Sequence, residues 1–329
     1  MKAALALMLL VAVLCGEASL WARPPADSGP VTLFGKEYVR LADWAHANDF
    51  EIHWLKRDET VLVTNRTARL AFDVDSRGAE VNGIHVWLSH PIVERNGLVY
   101  ISDLDIRTAL RPVLYPARHN SKVQNIVLDP GHGGNDPGNL DGLRQEKKYT
   151  LLMAEELSDQ LRRAGFKVSL TRTRDAFVSL SERPELARRR GADLFISIHW
   201  NSVSAGRKDT RGAQTYCLSP AGVASTNGGN GPTGASSQPG NANNDRNMLL
   251  AYSIQKSLVK KLGVEDQGVR RARYQVLREA EMPAVLIEGG YMSHPVESRH
   301  IYDAAYRRQM AGAIVEGVIA YRSLVEQAR

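Results

Sequence analysis

The sequence predicts an α/β protein: a mainly parallel twisted sheet flanked by helices, preceded by a small β-rich α+β module. Three observations carry this expectation. From residue 124 onward, short apolar runs alternate with helical patterns, as in a parallel sheet covered by helices. Three of those runs stop abruptly at polar residues and glycines: 125–129 leads into Pro130-Gly131-His132, 194–198 into His199, and 284–287 into Glu288-Gly289-Gly290. Before residue 116, by contrast, short strand-like runs are separated by Asn-Gly turn signals.

The chain has 329 residues, 43% hydrophobic and 24% charged, which fits globular folding in two domains. Its formal charge of +6 favours polyanionic surroundings, although a solvated basic surface accounts for it equally well. No nucleic-acid-binding motif is present, so nucleic acid is not an expected partner. Lys2, an apolar run from Ala3 to Cys15, and Gly16-Glu17-Ala18 read as a signal peptide over 1–22, cleaved after Ala18 or Ala22. The run is too short for a membrane span. The mature chain is therefore expected to be exported to the periplasm or to the extracellular space or cell wall, with no transmembrane span once the signal is removed. Leu14 is too large to make Cys15 a lipoprotein site. Only Cys217 then remains, which excludes an intrachain disulfide and a cysteine metal site. Its apolar neighbours make it a buried small hydrophobe.

Residues 29–116 form the first module. Phe34-Gly35 is a turn into a strand. Leu41, Trp44 and Ala45 share one face of a helix over 41–47. Strands follow at 51–55, 60–64 and 69–73. Asn82-Gly83 and Asn96-Gly97 mark two hairpins, and a helix over 103–110 closes the module. This order, with Tyr100-Ile101-Ser102-Asp103-Leu104, resembles the stalk-like N-terminal domain of copper amine oxidases. The resemblance implies a binding or positioning unit without catalysis. Its histidines (His46, His53, His85, His90) lie on separate elements and read as surface or packed residues. A polar, basic linker, 117–123, follows.

The second domain, 124–329, is expected to hold strands at 125–129, 167–171, 194–199, 213–218, 274–278 and 284–288. Helices are expected at 147–164, 180–190, 247–262 and 302–325. Leu151, Leu152, Ala154, Leu157 and Leu161 give the first helix its core face, Gly165 ends it, and Arg162-Arg163 suit its negative C-terminal pole. Residues 219–247, rich in Gly, Asn and Ser, cannot bury enough apolar area to fold alone and read as a flexible insertion.

Ligands of open α/β sheets bind beyond the carboxyl ends of the strands. His132, His199 and Glu288 would therefore meet along one edge, with Glu146 arriving at a helix start. Two histidines and a carboxylate suit a catalytic Zn²⁺ with an open position, with Fe²⁺ the alternative on ligand types alone. A further carboxylate beside it would move the proton. Each residue has a plainer explanation: a turn histidine, a carboxylate complementing a helix dipole, a core histidine, a half-buried acid paired with Arg278. Together these would require three polar strand ends on one edge by accident.

The run Leu128-Asp129-Pro130-Gly131-His132-Gly133-Gly134, then Asp136, Gly138 and Glu146-Lys147, resembles the zinc-dependent N-acetylmuramoyl-L-alanine amidases of the amidase-3 class. The likeness continues through Leu170-Thr171-Arg172, Asp175-Ala176-Phe177-Val178-Ser179-Leu180, Arg183, Ala192–Asn201, Gly212–Tyr216, Gly268-Val269-Arg270, Val276-Leu277-Arg278 and Pro283–Tyr291. It implies Zn²⁺ on His132, Glu146 and His199, Glu288 as the catalytic residue, and peptidoglycan as partner. Asn201 and Arg278 are expected to help bind substrate. His294 reads as a loop histidine. The expected reaction cuts the amide between the lactyl group of N-acetylmuramic acid and L-alanine, in wall remodelling or daughter-cell separation. The alternatives are a zinc peptidase acting within the stem peptide and a non-catalytic wall-binding protein.

Overall fold

The computed structural model describes residues 29–119, 122–204, 209–227 and 236–326. The expected signal segment, 1–22, lies outside them. The first module contains β1 (Val31–Leu33), β2 (Lys36–Arg40), α1 (Leu41–Ala47), β3 (Glu51–Lys56), β4 (Thr60–Thr64), β5 (Arg69–Asp73), β6 (Gly78–Val81), β7 (Ile84–Trp87), β8 (Val93–Arg95) and β9 (Leu98–Ser102). Asn82 and Asn96 have positive φ, followed by Gly83 and Gly97, which is the backbone these tight hairpin turns demand. The expected helix 103–110 is subdivided: α2 (Asp103–Asp105), a π-helical turn (Ile106–Leu110) and α3 (Arg111–Leu114). Pro112 explains the freed carbonyl here. It has no N–H to offer Thr108 O four residues back, and that oxygen accepts from Arg271 Nη2 at 2.8 Å.

The second domain runs β10 (Asn125–Pro130), β11 (Leu140–Asp141), β12 (Arg144–Gln145), α4 (Glu146–Arg163), β13 (Lys167–Leu170), α5 (Glu182–Arg189), β14 (Leu194–Asn201), β15 (Ala213–Leu218), a 3₁₀ turn (Pro239–Asn243), α6 (Asn244–Leu262), β16 (Asp266–Ala272), α7 (Gln275–Arg278), β17 (Ala284–Tyr291), α8 (Glu297–Tyr302) and α9 (Ala304–Val325). β10, β13, β14 and β17 are parallel; β15 runs antiparallel to β17, and β16 is parallel to β15. Cys217 is buried in β15, as its neighbours predict.

Two expectations need correction. Residues 274–278 are not a strand. Tyr274 O accepts from Leu277 N and Arg278 N, which winds α7. The strand lies earlier, at β16, in a stretch whose arginines disguise it. Arg271 points into the core at 0% exposure, while Arg270 faces the other way over the Trp87 ring. The expected helix 302–325 is also split, because Asp303 is extended and caps α9 by accepting from Ala305 N at 3.0 Å.

The two parts of the chain share a sheet. One eleven-stranded sheet runs β13-β10-β14-β17-β15-β16-β7-β6-β5-β4-β3. The seam is β16 against β7, through the pair Val269 and Val86. Side chains reinforce it: His85 N donates to Asp266 Oδ2 at 2.8 Å, and Trp87 Nε1 to Gln267 O at 3.2 Å. A second, four-stranded sheet runs β1-β2-β9-β8. In the stretch 117–123, His119 N donates to Val325 O and Val123 N to Glu326 Oε1, tying it to the end of α9. Within 219–247, Pro239–Asn243 and the start of α6 are ordered. Asn243 donates to Glu281 O, and Asn247 accepts from Ala284 N.

Candidate active site

The site begins where β10 stops. Pro130 ends the strand and Gly131 follows it. A Cβ at Gly131 would lie 2.2 Å from His199 Cε1, so only glycine lets the His199 ring sit there. His132 then takes a left-handed backbone (φ 61°), rare for a non-glycine residue and a mark of local strain. Buried arginines hold that backbone. Arg172 donates to Pro130 O and Gly131 O, and Arg183 donates to Pro130 O and His132 O. Arg183 also meets the fully buried Asp129 at 2.8 Å. Thr171 and Ser197 complete the hydrogen bonds to that carboxylate.

Glu146 opens α4 and is 1% exposed. Its position at a helix N-terminus favours negative charge. Oε1 accepts from Trp200 N (3.0 Å) and lies 3.0 Å from His199 Nδ1. Oε2 accepts from Asn139 N (2.9 Å) and lies 3.1 Å from His132 Nε2. The other nitrogen of His132, Nδ1, is 2.8 Å from Asp136 Oδ2. One donor atom from each of His132, Glu146 and His199 lies within 4.8 Å of the others. Glu288 joins this cluster from β17. It is the register partner of His199 on β14, so the two side chains leave the same sheet face. Gly289 follows it because a Cβ there would sit 2.7 Å from Trp200 Cζ3.

The charges are arranged in opposition. Burial works against ionised Glu146, yet hydrogen bonds with both histidines hold its carboxyl far below the usual range. Burial also disfavours a charged His132, but its bonds to Glu146 and Asp136 prevail and raise the imidazole. Burial, then repulsion from Glu146, push Glu288 well above its ordinary value. Its Oε2 is buried and has no hydrogen-bond partner among the described residues.

These residues line a cleft of about 710 Å³, with Phe177, Val178, Leu180 and Arg183 among one set of walls and Tyr274, Gln275 and Val276 among another. Four of the six expected site residues, His132, Glu146, His199 and Glu288, line it together. Asn201 and Arg278 are not among its lining residues. Asn201 turns its Oδ1 back to Ser202 N, and Arg278 lies at the end of α7 with no ion pair to Glu288 among the described residues. His294 caps α8 through its Nδ1, which accepts from Val296 N and Glu297 N. Sequence reasoning assigned no role to Asp129, Asp136, Arg172 or Arg183, although all four stand inside the quoted motifs. Asp129 and Arg172 carried a signal, charge at the end of an apolar run, which a buried polar network requires; Asp136 lies in a loop and Arg183 in α5, away from any strand end.

The donor set fits Zn²⁺: two imidazoles and one carboxylate, without sulfur. The Asp136 contact to the far nitrogen of His132 is the support that metal-binding histidines characteristically receive. The glycines at 131 and 138 leave the room the cluster needs; a Cβ at Gly138 would meet His132 Cδ2 at 2.6 Å.

Comparison with known proteins agrees with this geometry. The model of a family described as N-acetylmuramoyl-L-alanine amidase, the amidase-3 family, matches residues 126–320. That of the copper amine oxidase N-terminal domain matches residues 23–123. The chain belongs to the amidase-3 family of N-acetylmuramoyl-L-alanine amidases. It is 29% identical over 300 residues to a probable cell wall amidase LytH of Staphylococcus saprophyticus, covering 90% of this chain and 86% of that one. It is 34% identical to the N-acetylmuramoyl-L-alanine amidase AmiC of Neisseria meningitidis over 61% of this chain, and so spans about half (53%) of that relative's length. Among solved structures, the N-acetylmuramoyl-L-alanine amidase AmiC2 of Nostoc punctiforme superposes with a TM-score of 0.51 at 31% identity, covering 61% of this chain and 98% of that one.

Proposed function

We propose that this protein is an exported zinc amidase that cuts peptidoglycan between the lactyl group of N-acetylmuramic acid and the L-alanine of the stem peptide. The observation that carries the reading is the convergence of His132, Glu146 and His199 within 4.8 Å, with Glu288 beside them in one cleft. Family membership supplies the bond. The basic charge and the apolar N-terminal run support a place in the cell envelope.

His132, Glu146 and His199 would hold the metal. Bound Zn²⁺ supplies a Lewis acid for the scissile carbonyl and makes water nucleophilic at neutral pH. The chain does the rest. Asp136 fixes the ring of His132, and two backbone N–H groups fix Glu146, so the cluster is organised before substrate arrives. Glu288 takes the proton of the attacking water as the new C–O bond forms. It returns that proton to the nitrogen as the C–N bond breaks, so the amine leaves neutral. Burial raises the Glu288 carboxyl, which favours its holding the proton between the two transfers.

Digestion of purified sacculi, followed by mass spectrometry of the products, tests the reading. Free stem peptides beginning with L-alanine, alongside intact glycan strands, are expected, and a chelator should abolish them. Peptide remnants on muramic acid would point instead to a peptidase, and no product at all to a wall-binding protein.

A further inference from the structure

The cleft carries an aromatic side chain that the proposed chemistry does not use. Phe177 lines the cavity and is 57% exposed; Leu180 beside it is 55% exposed. A large apolar ring left in water is normally a mobile surface residue, or one awaiting a ligand. Here the backbone beneath it is pinned to the histidine-bearing loop. A Cβ on Gly133 would lie 2.2 Å from Ala176 O, and one on Gly134 2.7 Å from Phe177 N, so the two loops touch backbone to backbone. Asp175 locks the contact: its Oδ1 accepts from Gly134 N (2.7 Å), and its Oδ2 accepts from Lys147 Nζ (2.8 Å). Lys147 adds a bond to Gly134 O (2.6 Å) and directly follows Glu146. The backbone that carries the exposed ring is therefore held against the loop that carries His132.

Resting on the amidase reading, we propose that Phe177 is the stacking platform for the pyranose ring of the N-acetylmuramic acid whose lactyl amide is cut. The face of a sugar ring is a row of C–H groups, and the negative face of an aromatic ring complements it. The scissile amide is joined to that sugar through the short lactyl group alone. A platform packed against the loop of His132 is where the sugar must lie if its amide is to reach the cluster. Val178 and Leu180 extend the apolar surface on this side. The other set of walls includes Tyr274 and Gln275, residues with polar groups that suit the polar stem peptide. The cleft thus has a sugar side and a peptide side, and Phe177 makes the enzyme select glycan-linked peptide over sugar-free peptide.

The test compares two soluble compounds, N-acetylmuramoyl-peptide and the matching lactoyl-peptide without the sugar. The affinity for each is measured as KM or, for a poorly cleaved compound, as its inhibition constant. Phe177→Ala is expected to weaken the muramoyl compound about tenfold, in KM more than in kcat, and to leave the lactoyl compound unchanged. Phe177→Trp should restore the preference. Equal weakening of both compounds, or no weakening of either, would overturn the proposal. If the unaltered protein releases no L-alanine peptide from any muramoyl substrate, the amidase reading itself fails. An active wild type with an indifferent Phe177→Ala defeats only the sugar platform.

Discussion

His199 and Glu288 are register partners on adjacent parallel strands, and this pairing fixes on one sheet face a metal-type imidazole and a carboxylate whose Oε2 has no hydrogen-bond partner among the described residues. The pairing is backbone-determined, so neither side chain relies on a loop to find the other. A site placed on strand ends is more rigid than one placed on loops. That rigidity gives the proposed chemistry its specific, measurable consequences.

Removal of a donor should empty the site. His199→Ala is expected to lose stoichiometric Zn²⁺ and to lower amidase activity by roughly 10³-fold or more. Asp136→Asn keeps all three donors but loosens His132, and should weaken zinc binding by about 10–100-fold. Metal analysis and zinc titration of the two variants would separate these effects. Zinc at about 100 times its Kd should also stabilise the wild type by about 2.7 kcal/mol, read as a rise in Tm.

The metal-free protein should be sensitive to pH in two directions. Glu146 has a depressed pKa in the folded state, so its contribution is present above the ordinary carboxylate value and is lost as pH falls through the folded value. Glu288 and His132 have raised folded values, so their contributions are complete at low pH and are lost as pH climbs through those values. With chelator present, Tm should therefore fall as pH rises above 4.5, the ordinary value for Glu288. Glu288→Gln should flatten that part of the slope. A chelated wild type and a Glu288→Gln variant with superimposable pH profiles above that value would contradict the assignment.

Arg183 is expected to matter for folding as well as for activity. It pairs with Asp129 at 2.8 Å, with both side chains almost wholly buried, and it also holds the carbonyl of His132. Arg183→Ala strands a buried carboxylate, which should cost about 3–5 kcal/mol in urea unfolding. Adding Asp129→Asn should recover part of that loss, while activity stays low because His132 has lost its anchor.

Much of the site could be read from the sequence because its residues stand at abrupt ends of apolar runs. His132 follows β10, His199 and Glu288 stand near the carboxyl ends of β14 and β17, and Glu146 opens a helix, so local pattern brought them to one edge and the family resemblance gave them their roles. The seam between β16 and β7 could not be read this way, since it depends on a pairing between residues some 180 positions apart. β16 was further disguised by Arg270 and Arg271. A buried arginine looks polar in the sequence and becomes intelligible only when Thr108 O, freed by Pro112, is found beside it. Asn201 and Arg278 show the converse: both sit in family motifs, yet neither lines the cleft, and a register shift in the sheet separates Asn201 from His199.

The most direct measurement is the rate at which Glu288→Gln releases L-alanine-headed stem peptides from peptidoglycan, with its zinc content determined on the same sample. Full zinc occupancy with activity reduced about 10³-fold is the predicted result, since the proton carrier is gone and the metal site is intact. Near-normal release by a zinc-loaded Glu288→Gln would contradict the account.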